Sequence, residues 1–173
     1  MTTVFSIDKP IDIERVATCD RRFEYEPSMY PGLIFRKKEP RIGFTIFSSG
    51  RVVSTGGKNV EDVQIAINEM IEGLQKAGVA IENMPTPKIC NLVAVTDFGC
   101  KIDIETLSSR MANAIYEPEQ FPAIIFRADQ GKLVVLIFSS GKAILTGART
   151  SGSLEKAYDI VKRTMDEAGV SLR

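Results

Sequence analysis

The chain has 173 residues, 44% of them apolar, and equal numbers of acidic and basic side chains, so its formal net charge is zero. It contains no histidine, which removes the commonest general base and metal ligand. No run of eighteen apolar residues occurs, so no helix is expected to span a membrane, and three cysteines without CxxC spacing argue for free thiols over disulfides or zinc.

In chain order, the N-terminal stretch "MTTVFSIDKPIDIERV" has no basic region followed by a long apolar one, so no secretory signal is expected. "IDIE" at 11–14 opens a short helix that Asp12 can cap. "YEP" at 25–27 is extended, because a residue before proline avoids the helical region. Three strands are predicted at about 32–37, 41–47 and 51–56, with "SSG" as the turn between the last two. A long amphipathic helix follows, with Val63, Ile67, Met70 and Leu74 in one stripe, Asn59 as its cap and Gly78 as its stop.

The same order then recurs. Shifted by 91 positions, Ile11–Ile81 aligns on Ile102–Leu172 without a gap, and about 22 of 71 pairs are identical. "YEPSMYPGLIFR" (25–36) meets "YEPEQFPAIIFR" (116–127), and "TIFSSGRVVSTGG" (45–57) meets "LIFSSGKAILTGA" (136–148). The chain is therefore a tandem duplication, with a first repeat at 1–81, a linker at 82–90 and a second repeat at 91–173. Pro85 and Pro87 make the linker stiff and non-helical. In the second repeat Asp103 caps the short helix, Leu154, Tyr158, Val161 and Met165 form the long helix's stripe, and Ser153 and Gly169 are its expected cap and stop. "NLVAVT" (91–96) is a strand whose counterpart falls at Met1–Phe5.

Strand parity gives two apolar faces. Leu133, Val135 and Ile137 point one way, Val134, Leu136 and Phe138 the other, and Ile42, Phe44 and Ile46 oppose Gly43, Thr45 and Phe47. Helices placed after runs of strands cover one side of an antiparallel sheet, so the class is α+β and the second face is open to a partner or to a second copy.

Charge is unevenly spread. Segment 30–58 has six basic side chains and one acidic, and segment 121–149 has four and one, about +5 and +3. Basic groups bordering an apolar face suit a nucleic-acid surface; the plainer reading is solvated strand ends. Tyr30 and Phe47 lie 17 residues apart, as do Phe121 and Phe138. Each pair joins the start of one strand to the end of another. Such rings serve either as wedges that unstack a base step or as core aromatics, and parity sets Phe47 and Phe138 opposite the core.

These motifs resemble the TATA-box-binding protein family over nearly the whole chain. With no long N-terminal extension and with an acidic first long helix (Glu61, Asp62, Glu69, Glu72), the chain is most similar to archaeal members. The family is the reference example of minor-groove wedging, and the resemblance implies a pseudo-two-fold saddle, its curved antiparallel sheet on DNA and its helices on the convex face. It implies that Tyr30, Phe47, Phe121 and Phe138 intercalate, and that Asn91, Val93, Val53, Thr55, Leu136, Ile144 and Thr146 line the groove surface. Arg36, Arg41, Arg51, Arg127, Lys132 and Lys142 match phosphate-contacting positions. Glu117, Glu119 and Gln120 fall in the loop that binds transcription factor B, through which RNA polymerase is recruited.

On the same resemblance the chain is a general transcription initiation factor, not an enzyme, with no cofactor or metal. It works in the cytoplasm on an archaeal nucleoid, or in a nucleus if eukaryotic, and its apolar face permits a homodimer without DNA. The first repeat departs from the pattern: it has no counterpart of Asn91, Thr2 stands for Val93, Thr45 for Leu136, and Tyr30 for a phenylalanine. Weaker or altered promoter binding is expected from that half. One alternative is a divergent paralogue that regulates through protein partners with weak DNA binding. The other is a hydrolase using carboxylates, against which stand the missing histidine, the exposed-loop positions of Glu26 and Glu117, and the turn role of the "SSG" serines.

Overall fold

The computed structural model describes residues 1–169. The chain folds as two compact units, divided between Cys90 and Asn91. In the first, β1 (Thr2–Ser6), α1 (Ile13–Cys19), β2 (Phe23–Glu24), β3 (Leu33–Lys37), β4 (Ile42–Ile46), β5 (Arg51–Thr55) and α2 (Val60–Lys76) follow in order. The second repeats it with β6 (Lys88–Asp97), α3 (Ile104–Arg110), β7 (Ala114–Ile115), β8 (Ala123–Ala128), β9 (Leu133–Phe138), β10 (Lys142–Ala148) and α4 (Ser151–Glu167). The class is α+β. Pairing is antiparallel throughout, in the order β2-β3-β4-β5-β1 in the first unit and β6-β10-β9-β8-β7 in the second.

Local chemistry explains the boundaries. Asp12 and Asp103 each accept the backbone N–H three residues on, at 3.1 Å, and so cap α1 and α3. Asn59 caps α2 through the Asp62 N–H at 2.7 Å. Ser153 is not the cap of α4: Thr150, the repeat counterpart of Asn59, accepts from the Ser153 N–H at 3.3 Å, so Ser153 already sits inside the helix. In the SSG turns, Gly50 and Gly141 have φ of 84° and 89°. A Cβ there would fall 2.3 Å from the Lys9 carbonyl oxygen and 2.0 Å from that of Cys100, so only glycine fits.

Alternation decides the core. In the first unit Leu33, Phe35, Ile42, Phe44 and Ile46 are buried and meet Val63, Ile67, Met70 and Leu74 of α2. The second unit buries Leu133, Val135 and Ile137 against Ala157, Val161 and Met165 of α4. There the predicted stripe is shifted: Leu154 and Tyr158 are only half-buried, and Tyr158 stacks on Phe98 with ring centroids 5.6 Å apart.

The two cores are filled by different side chains. Gly73 lets α2 approach the Phe23 ring, where a Cβ would lie 2.7 Å from the ring edge, whereas the counterparts are Thr164 and Ala114. The buried Thr3 and Ser54 hydroxyls bond each other at 2.7 Å, and their counterparts are Ala94 and Leu145. The two-residue strands β2 and β7, and a 3-10 turn at Asp129–Gly131, were not expected from the sequence.

Candidate nucleic-acid interface

With both helices of each unit on one side, the alternate strand residues are left uncovered. Cross-strand register lines them into rows. In the second unit Val95, Ile144, Leu136, Ile125 and Ile115 are successive partners across all five strands. Val93, Val95 and Ile115 are 51%, 70% and 45% exposed, which is costly for aliphatic groups unless something covers them. The matching row in the first unit is Val4, Val53, Thr45, Ile34 and Glu24. Beside it run Thr2, Thr55, Gly43 and Arg36. The first face is thus the more polar of the two.

The aromatic pairs meet as the sequence spacing suggested. Tyr30 and Phe47 have ring centroids 6.3 Å apart, and Phe121 and Phe138 6.1 Å. Neither pair belongs to a core: Tyr30 and Phe121 are exposed, Phe47 and Phe138 half-exposed. The core-aromatic reading therefore fails for all four. Gly32 makes room for Tyr30, since a Cβ there would fall 2.8 Å from its ring and 2.7 Å from Thr45.

Asn91 is held in one orientation. Its Oδ1 accepts from the Gly147 N–H at 2.8 Å, and its Nδ2 lies 3.3 Å from the Thr146 Oγ1. A backbone N–H can only donate, so the amide oxygen must face Gly147 and the NH2 group turns to Thr146. The donor is available because a bulge interrupts the β6–β10 ladder between Leu145 and Ala148, with Gly147 at φ 94°. In the first unit the Gly56 N–H, the counterpart of Gly147, donates to the Met1 carbonyl instead.

The predicted basic positions Arg36, Arg41, Arg51, Arg127, Lys132 and Lys142 are all exposed. They are not equivalent, because Arg36 is ion-paired to Glu24. Lys38, one of the six basic residues of segment 30–58, and Arg21, which no sequence pattern marks, join Arg36 and Arg41 in lining an open groove of about 860 Å³. Lys37, which also lines that groove, is ion-paired to Glu69 on α2. Glu117, Glu119 and Gln120 are exposed on the loop before β8, where the Glu117 carbonyl accepts from the Gln120 and Phe121 N–H groups at 2.9 Å. Cys90 lies within β6, half-buried, its thiol 3.5 Å from the Thr2 carbonyl oxygen. Among the described residues no helix is long and apolar enough to cross a membrane.

Repeat, open face and paired rings together specify one family, and the comparisons agree. The family described as "Transcription factor TFIID (or TATA-binding protein, TBP)" matches residues 1–77 and 86–168. The chain belongs to the TATA-binding protein family. It is 39% identical over 157 residues to the TATA-box-binding protein of Methanocaldococcus jannaschii, covering 91% of this chain and 86% of that protein. To the TATA-box-binding protein of Picrophilus torridus it is 36% identical over 167 residues, covering 95% and 91%. The solved structure titled "Methanococcus jannaschii TBP" superposes with a TM-score of 0.86 at 37% identity, over 96% of this chain and 95% of that one. Membership places the chain among transcription factors, not enzymes, with archaeal relatives.

Proposed function

We propose that this chain is a general transcription initiation factor that binds the minor groove of TATA-box promoter DNA, kinks it by aromatic insertion, and recruits transcription factor B and, through it, RNA polymerase. The exposed aliphatic row from Val95 to Ile115, with the Phe121–Phe138 pair outside the core on the same unit, carries this reading. A·T and T·A pairs show only acceptors in the minor groove, while G·C adds an amino donor. A close-fitting aliphatic surface cannot satisfy that donor, so it rejects G·C. The Asn91 NH2 group is a donor matched to the A·T acceptors.

Each repeat, 1–81 and 91–173 about the linker 82–90, acts as one half of the DNA-binding surface; Val170–Arg173 lie outside the described residues. Tyr30 with Phe47, and Phe121 with Phe138, are the wedges, a mode for which TATA-binding proteins are the reference example. Val93, Leu136, Ile144 and Thr146, with Val53 and Thr55, contact sugars and base edges. Arg36, Arg41, Arg51, Arg127, Lys132 and Lys142 contact phosphates. Glu117, Glu119 and Gln120 offer an acidic, accessible loop to a basic surface of transcription factor B. The factor works on the nucleoid, and without DNA the aliphatic faces favour self-association.

A second reading has one observation behind it. Thr2, Gly43, Thr45 and Glu24 make the first face polar, as expected of a divergent paralogue that acts mainly through protein partners. Gel shifts on a TATA duplex, with and without transcription factor B, separate the two. Binding by the chain alone, lost when T·A pairs are replaced by G·C, supports the first; binding that requires the partner supports the second.

A further inference from the structure

The two open faces differ most sharply where their rows end. Glu24 closes the row of the first unit, at the position where the second unit has Ile115. Its carboxylate holds Arg36, whose counterpart Arg127 is exposed and makes no ion pair among the described residues. The Glu24 and Arg36 side chains are 64% and 59% exposed, so little besides each other holds them. Glu24 and Glu39 are the two carboxylates of the groove whose basic lining includes Arg21, Lys38 and Arg41, and Glu24 is the one paired to Arg36.

We infer that Glu24 is an affinity-determining residue that competes with the DNA backbone for Arg36, so that Arg36 contributes less as a phosphate contact than its counterpart Arg127, unpaired among the described residues. The inference rests on the duplex-binding reading above. Exposed ion pairs are weak, so a phosphate displaces the carboxylate at a cost of about two- to fivefold in affinity. The clearer signature is in salt dependence. Each phosphate neutralised by a cationic side chain releases condensed counterions and adds about −0.9 to the slope of log K against log salt. When Arg36 leaves Glu24 for a phosphate, the DNA sheds a cation but the bared carboxylate takes one up. The net release from that contact is near zero.

The test is a salt titration of duplex affinity for the wild-type chain, Glu24→Gln and the mirror change Ile115→Glu. Both sites are exposed, and melting curves will verify the fold. Glu24→Gln is expected to bind about two- to fivefold tighter, with a slope steeper by about 0.9. Ile115→Glu is expected to weaken binding and flatten the slope by a similar amount. Arg36→Ala should cost little slope in the wild-type background and about 0.9 in the Glu24→Gln background. A pair that merely braces β2 would move the melting temperature and leave the slope alone. If the wild type binds and Glu24→Gln has its slope and affinity, the inference is overturned and the duplex reading stands. If the wild type does not bind at all, the duplex reading falls and takes the inference with it.

Discussion

The Asn91 amide oxygen accepts the Gly147 backbone N–H at 2.8 Å, and this bond fixes the NH2 group on the other side, where one hydrogen is directed at Thr146 Oγ1 and the second is left over. Asn91→Asp keeps that acceptor and exchanges the NH2 donor for a second oxygen, which repels base acceptors. Asn91→Ala removes both. We expect the two variants to weaken TATA-duplex binding by roughly 1 kcal/mol or more, about fivefold, with Asp at least as damaging as Ala. Equilibrium binding by fluorescence anisotropy checks this. An Asp variant that binds like the wild type would mean the amide reads nothing.

Phe138 and Phe44 both lie on sheet strands and test opposite faces. Phe44 is 1% exposed in the first core, and Phe44→Ala should cost about 3–5 kcal/mol of stability. Phe138 lies outside the core, so Phe138→Ala should leave the melting temperature nearly unchanged yet reduce the bend in a doubly labelled duplex. Energy transfer between the duplex ends, read beside a urea melt, separates the two effects. An unchanged bend with Phe138→Ala would remove the wedge from the mechanism.

The buried Thr3–Ser54 hydroxyl pair makes a prediction about additivity. Thr3→Ala alone strands the Ser54 hydroxyl and should cost about 1–3 kcal/mol. The double change Thr3→Ala with Ser54→Leu copies Ala94 and Leu145 and should recover much of that loss, because no polar group is left without a partner. A double-mutant cycle in urea measures it. Strictly additive losses would show that the pair is not coupled.

Acid should loosen the first unit through Asp20. The Arg22 guanidinium donates to both Asp20 carboxylate oxygens, at 2.6 to 3.1 Å, and holds the carboxyl below its ordinary value of 3.8. A carboxyl whose pKa falls on folding stabilises the protein above its unfolded value, and that contribution is lost as pH falls through the folded one. The wild type should therefore lose stability below about pH 4 more steeply than Asp20→Asn, with the two curves converging at lower pH. Thermal melts across that window provide the comparison, and parallel curves would rule the pair out.

Much of this was legible because the message is written twice. Strand parity around Ile137 and Ile46 separated core from open face, and the spacing of Phe121 and Phe138 anticipated their contact. What escaped depends on neighbours distant in the chain. The Gly147 N–H reaches Asn91 only because a bulge breaks the ladder, and no local pattern announces one. Glu24 looks like an ordinary loop acid until β2 pairs with β3 and turns it onto the open face. Ser153 has the composition of a cap, yet the shift that aligns the repeats points from Asn59 to Thr150, the residue that caps α4. Val95, the most exposed aliphatic side chain of its row, was there to be found by the same shift from Val4.

Phe23 against Gly73 in one half, and Ala114 at the position facing Thr164's helix in the other, amount to two keys cut for two locks. Slippage between the duplicated coding segments would create hybrid halves in which a threonine is driven into a phenylalanine ring, or a glycine leaves an alanine nothing to touch. Such recombinants would fold poorly, so the divergence inside the cores protects the chain from its own internal similarity.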